Sequence, residues 1–313
     1  MENIKCKSIG IIGGGIQGVC SGLQLIKKGI PVTIFDRHDP LSHEFMRKAL
    51  LMSSLVAAVC GFLSSYLTLK GWALMGDAVS HSVMPGVVVA YALGLPFSLG
   101  AFIFGVGSVA LIGFVKQKSR VKEDTVIGLV FTGFFALGIV LVSKIKSNID
   151  LHSILFGSPL GISLSDVKQT VFISLLVVIL LSVFRKDLIL YCFDPRHAKT
   201  VGINVLFLHY LLLTCLSLAA VVGLQSVGIV LVVAMLITPG ATAYLLTDKF
   251  DNMTIISVIS AIISSVFGIY FSFWFDLETG GSIVLVQTFI FLFAFLFAPR
   301  YGIFKFKKLF SSY

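Results

Sequence analysis

The stretch Gly76-Asp77-Ala78-Val79-Ser80-His81-Ser82-Val83-Met84-Pro85-Gly86 decides how the rest of the chain is read. It sets a carboxylate and an imidazole four residues apart, between two long apolar runs. On a helix those two positions share a face, so Asp77 and His81 can address one ligand together. Pro85 stands four residues beyond His81 and has no N–H. The His81 carbonyl therefore loses its helical donor and becomes a further acceptor beside the same face. Mixed oxygen and nitrogen donors without a nearby cysteine suit Mn²⁺, Fe²⁺ or Zn²⁺ and disfavour a soft Cu(I) site.

Outward from this stretch the chain is strongly apolar. Of 313 residues, 57% are hydrophobic and only 12% charged, with a mean hydropathy of +1.00. A soluble domain carries about 25% charged residues, so the balance points to a polytopic membrane protein. Apolar runs lie near 49–69, 83–95, 97–115, 126–143, 168–184, 204–223, 227–246, 253–274 and 282–298. Most approach the ~20 residues that cross a ~30 Å hydrocarbon core. The pattern predicts an all-α fold of eight to nine transmembrane helices. The 83–95 run is short and interrupted at Pro85-Gly86, and Thr238-Pro239-Gly240 interrupts the 227–246 run. Two discontinuous helices flanking a path are expected from these breaks.

Loop charge orients the bundle. Lys116, Lys118, Arg120 and Lys122, then Arg185, Lys186, Arg196 and Lys199, then Arg300, Lys305, Lys307 and Lys308 fall on one side, with Lys70 and Lys249. The opposite loops after the N-terminal region carry Lys144 and Lys146. The basic side is cytoplasmic, and the net charge of +9 needs no nucleic-acid partner. The five cysteines show no CxxC pair and imply no disulfide framework. No secretory signal pattern opens the chain.

Residues 1–40 read differently. Ser8-Ile9-Gly10-Ile11-Ile12 has the composition of a buried strand, followed by Gly13-Gly14-Gly15-Ile16-Gln17-Gly18, and Pro31-Val32-Thr33-Ile34-Phe35 reads as a second strand ending at Asp36. Gly13, Gly15, Gly18 and Asp36 fit the G-x-G-x-x-G fingerprint with its acidic residue roughly 20 positions on. The segment resembles the opening of FAD-dependent oxidoreductases of Rossmann type, and a membrane-anchored FAD-binding oxidoreductase is the alternative function. The resemblance spans few residues, and the chain then turns to membrane sequence instead of supplying further strands. Residues 1–40 are therefore expected to be a truncated Rossmann-like βαβ remnant that binds no cofactor. With nine helices and a cytoplasmic C-terminus, this basic segment would lie outside, which fits the same reading.

A second resemblance covers most of the chain. Tyr66-Leu67-Thr68-Leu69-Lys70-Gly71-Trp72 running into Gly76–Gly86 is similar to the second-helix signature of metal-ion ABC transporter permeases. Lys122-Glu123-Asp124-Thr125-Val126-Ile127-Gly128, Ile154-Leu155-Phe156-Gly157, Phe193-Asp194-Pro195 with Ala198 and Gly202, Val227 through Ala243, and Thr279-Gly280-Gly281 follow in the family's order. The resemblance implies a permease domain over residues 41–302 and a cytoplasmic basic tail over 303–313. It implies a multi-pass protein of the bacterial inner membrane that imports manganese or ferrous iron, with zinc as the third choice. Its expected partners are a second permease copy or homologue, a cytoplasmic ABC ATPase, an extracytoplasmic metal-binding protein and membrane lipid. It places Asp77 and His81 in the ion path as transient metal ligands. Phe193, Asp194, Pro195, Ala198 and Gly202 would form the segment that couples to the ATPase. Asp194 before Pro195 is in itself a well-specified helix start.

No G-x-x-x-x-G-K-[ST] pattern is present, so ATP would bind a partner subunit, and no catalytic residues are expected. The chain is expected to bind no cofactor of its own, the divalent metal being cargo. His209, within Phe207-Leu208-His209-Tyr210-Leu211, reads as a hydrogen-bonded packing residue, and Asp150 and His152 as a solvated external loop.

Overall fold

In the computed structural model the described residues are 9–12, 32–35, 44–95, 97–144, 164–275, 277–298 and 302. The chain divides into two compact units, Met1–Arg47 and Lys48–Tyr313. In the first, strands β1 (Ile9–Ile12) and β2 (Val32–Phe35) pair in parallel, Ile9 opposite Val32 and Ile12 opposite Phe35. This is a two-stranded sheet among the described residues. A dinucleotide fold needs further strands to bury its sheet and build the rest of the site. Gly13, Gly15, Gly18 and Asp36 lie outside the described residues, as do Asp150, His152, Ile154–Gly157 and the 303–313 tail.

The second unit is helical. The helices are α1 (Glu44–Lys70), α2 (Ala73–Ala92), α3 (Phe97–Lys118), α4 (Glu123–Lys144) and α5 (Leu164–Val183). Then come α6 (Arg185–Phe193), α7 (Pro195–Thr200), α8 (Val205–Val227), α9 (Ile229–Leu246), α10 (Phe250–Phe275) and α11 (Thr279–Phe297). Among the described residues, six are long and apolar enough to cross a membrane: α1, α3, α4, α8, α10 and α11. The α5–α6 pair, bent by 72°, gives a seventh span if counted as one. The expected eight to nine spans exceed this count. The difference lies in α9, whose apolar run Leu231–Leu246 is short, and in α2, which carries Asp77, Ser80, His81 and Ser82.

The two proline breaks are also corrected. α2 runs unbroken from Ala73 to Ala92 with Pro85 inside it, and α9 runs through Pro239. The neighbours explain how each proline is carried. Gly240 N–H, next in line after Pro239, donates to Ser64 Oγ of α1 at 2.8 Å, and Ser64 Oγ donates onward to the Ile237 carbonyl at 3.3 Å. At the other proline, Gly86 lies against the backbone of Gly100 on α3, and Gly138 of α4 lies against the Pro85 ring. Small residues let helix backbones approach closely, which is how apolar helices find packing energy in lipid.

α2 sits at the centre, packed on α3, α4, α8 and α9. Its buried polar groups bond within the helix: Ser80 Oγ donates to the Gly76 carbonyl at 2.8 Å and Ser82 Oγ to the Ala78 carbonyl at 2.6 Å. Across helices, Ser257 Oγ of α10 donates to the Gly61 carbonyl of α1 at 2.6 Å. Large apolar side chains such as Leu129, Phe172, Phe289 and Phe293 stand exposed on the outer faces. Buried serines inside and exposed phenylalanines outside suit lipid as the surrounding solvent.

Candidate metal site

Asp77 and His81 lie one turn apart on α2, as the spacing predicts. His81 Nε2 is 3.3 Å from Asp77 Oδ1, and the two side chains are 20% and 33% exposed, respectively. Their neighbours on α2, Val79, Ser80 and Ser82, are buried. The imidazole is held from a second helix. Phe131 and Phe135 of α4 meet it edge-on, with ring centroids at 5.1 and 5.3 Å. His81 Nδ1 is buried and has no hydrogen-bond partner. The two phenylalanines fix the ring by packing, while Nε2 faces the carboxylate. Phe131 and Phe135 were not singled out in the sequence. Their four-residue spacing marks one helix face, but only the fold shows that His81 lies against it.

Among the described residues no three His, Cys, Asp or Glu side chains converge on a metal-sized space. Two candidate donors on one helix would make an open site, unlike the closed four-ligand cages of structural zinc. The sequence-derived choice of His209 as a packing residue agrees with its surroundings. Tyr191 Oη and His209 Nδ1 are 2.9 Å apart, and Trp72 meets the His209 ring edge-on at 5.2 Å.

The segment from Phe193 to Gly202 lies at the end of the bundle that carries the basic loops. Asp194 is the N-cap of α7, accepting from Arg196 N–H at 2.9 Å and His197 N–H at 3.1 Å, with Pro195 in the first turn. The His197 N–H, then the Arg196 N–H and the charges of both side chains, hold the Asp194 carboxyl below the usual carboxylate range. Ala198 is fully buried, and Phe193 is 78% exposed. Gly202 has φ 89°, a conformation that excludes most side chains. It ends α7 with Gly202 N–H on the Lys199 carbonyl and Ile203 N–H on the Ala198 carbonyl. The result is a short, rigid, capped element that presents an apolar side chain outward.

Known proteins resemble this chain over the same region. The manganese transport system membrane protein MntB of Synechocystis sp. is 54% identical over 265 residues, covering 85% of this chain and 87% of its own. The chelated iron transport system membrane protein YfeC of Yersinia pestis is 48% identical over 265 residues, covering 85% and 90%. The solved structure of PsaBC from Streptococcus pneumoniae in complex with Fab superposes with a TM-score of 0.78 at 36% identity, covering 93% of this chain and 100% of that one. These relatives are transport-system membrane proteins, and the oxidoreductase alternative finds no support among them. The family model for the ABC 3 transport family matches residues 42–298. With most of its length matched, and relatives near half identical over that length, the chain belongs to the ABC 3 transport family.

Proposed function

We propose that this chain is the membrane permease subunit of an ATP-driven importer, multi-pass in the bacterial inner membrane, which moves a divalent transition metal into the cytoplasm. The observation that carries the reading is the Asp77–His81 pair inside a central apolar helix, in a chain about half identical to manganese and iron transport-system membrane proteins. Ionisable side chains at such positions are costly and are kept for ion pathways. Two cis ligands with bonds of about 2.1 Å to one ion stand roughly 3.0–3.4 Å apart, and the 3.3 Å N···O separation falls in that window. The separation supports an octahedral Mn²⁺ or Fe²⁺ and a tetrahedral Zn²⁺ alike. The relatives favour manganese and iron. Few ligands suit a conduit, since an ion must leave as readily as it enters.

The sequence carries no G-x-x-x-x-G-K-[ST] pattern, and in this reading hydrolysis belongs to a cytoplasmic ATPase subunit. The Phe193–Gly202 element, with Asp194, Pro195 and buried Ala198 setting its shape, is the surface we assign to that contact. Metal arrives from an extracytoplasmic binding protein, and a second permease copy or homologue completes the path. Expression with the ATPase and the binding protein in a manganese-auxotrophic strain tests the function. Growth on limiting manganese or iron that needs this chain supports it, and growth that is equal without the chain refutes it.

A further inference from the structure

A cavity of about 960 Å³ opens among the ends of α1, α3, α6, α7 and α8. Lys70, Lys116 and Lys199 line it, with His209, and among the described residues that line it there is no Asp or Glu. The three lysines come from three separate elements that the loop-charge rule assigns to the cytoplasmic side, so the fold gathers onto one cavity charges that are distant in sequence. The wall behind them is ordered. Lys70 Nζ donates to the Tyr191 carbonyl at 3.2 Å and lies 4.1 Å from the Tyr191 ring centroid and 5.7 Å from that of Trp72. Tyr191 is tied in turn to His209 at 2.9 Å. Deeper lining residues include Met75, Ile112 and Leu213, all buried. The cavity thus joins a cationic rim and an aromatic wall to an apolar floor.

We propose that this cavity is a binding site for a phosphate-bearing anion of the cytoplasmic leaflet, with the headgroup on the lysines and apolar chains along the floor. Basic pockets between membrane helices on this side of a bilayer collect anionic headgroups, because like charges held together attract a counter-ion and because that leaflet supplies one. A lysine point charge suits a phosphate oxygen, and the Tyr191–His209 pair holds the wall beside it. A free phosphate ion offers the same chemistry without the chains. The inference rests on the membrane orientation alone, so it can fail or succeed independently of the metal reading.

The test uses the full chain in neutral detergent with Trp274→Phe, which leaves Trp72, on the cavity wall, as the single tryptophan. Phosphatidylglycerol with brominated chains is expected to quench Trp72 saturably, and brominated phosphatidylcholine is not. Lys116→Gln together with Lys199→Gln should weaken binding more than tenfold, at roughly fivefold per lysine. Both side chains are exposed, and an unchanged size-exclusion profile checks the fold of the variant. Lys118→Gln with Lys122→Gln, which removes the same charge outside the cavity, should leave binding unchanged. Inorganic phosphate that displaces the lipid extends the site to small phosphates, and phosphate without effect restricts it to lipid; either upholds the site. Equal quenching by both lipids or equal loss in the two double variants overturns it.

Discussion

The crossing of α2 and α3 at Gly86 and Gly100 gives the sharpest stability prediction. A Cβ on Gly86 would meet the Gly100 carbonyl and the Phe104 Cβ at 2.8 Å, and a Cβ on Gly100 would meet the Gly86 carbonyl. Overpacking costs ~1–3 kcal/mol where side chains can shift. Here the obstacle is backbone, so Gly86→Ala belongs at the upper end, about 3 kcal/mol. At ~2–4 °C per kcal/mol for a chain of this size class, the melting temperature should fall by roughly 6–12 °C. Gly107 and Gly128 are helical glycines with nothing within 4 Å of an added Cβ. Alanine at either should raise stability by up to about 1 kcal/mol, because glycine is the poorer helix former. Thermal unfolding in detergent, followed by fluorescence-detected size exclusion, reads all three. Gly86→Ala and Gly100→Ala press on one crossing, so helices parted by the first alanine leave room for the second, and the double variant should cost less than the sum of the two. A Gly86→Ala protein that melts with the Gly107→Ala control would refute the close crossing.

Three further outcomes are expected. Ser64→Ala removes the hydroxyl that links the Gly240 N–H to the Ile237 carbonyl beside Pro239, and should cost about 1 kcal/mol, the net worth of a buried hydrogen bond; unchanged unfolding in the same assay would contradict it. Asp194→Ala should weaken co-purification of the ATPase while Asp194→Asn, which keeps an acceptor, largely preserves it. Because its folded pKa is lowered, the Asp194 cap is fully in place above the ordinary carboxylate range and is lost only as pH falls through the lowered value. ATPase association should therefore be insensitive to this group from neutral pH down through that ordinary range. Deleting residues 2–40 should leave metal uptake intact, as the family match begins at residue 42; loss of uptake with normal membrane abundance would give the β1–β2 unit a role.

Much of this molecule was legible because its signals are local. The apolar runs gave the helices, since length and hydropathy act within one segment. The one-turn spacing of Asp77 and His81 and the Asp194-Pro195 cap were readable for the same reason. The expected discontinuity at Pro85 and Pro239 failed because a proline's effect depends on its neighbours in space. Ser64, about 170 residues away in sequence, serves the backbone after Pro239, and Gly100 and Gly138 pack around Pro85-Gly86. Phe131 and Phe135 around His81, and the meeting of Lys70, Lys116 and Lys199, are likewise tertiary facts that no single window contains. The Gly13–Gly18 fingerprint, outside the described residues, shows the limit of a local signal. It is a strong local pattern, yet a cofactor site needs strands from a whole domain.

Uptake of radioactive manganese by cells that carry the chain with its ATPase and binding protein tests the central claim most directly. Asp77→Ala and His81→Ala should each reduce uptake to the level of cells without the permease, while membrane abundance and ATPase association stay at wild-type levels. Wild-type uptake by the Asp77→Ala, His81→Ala double variant would contradict the assignment of this pair to the ion path.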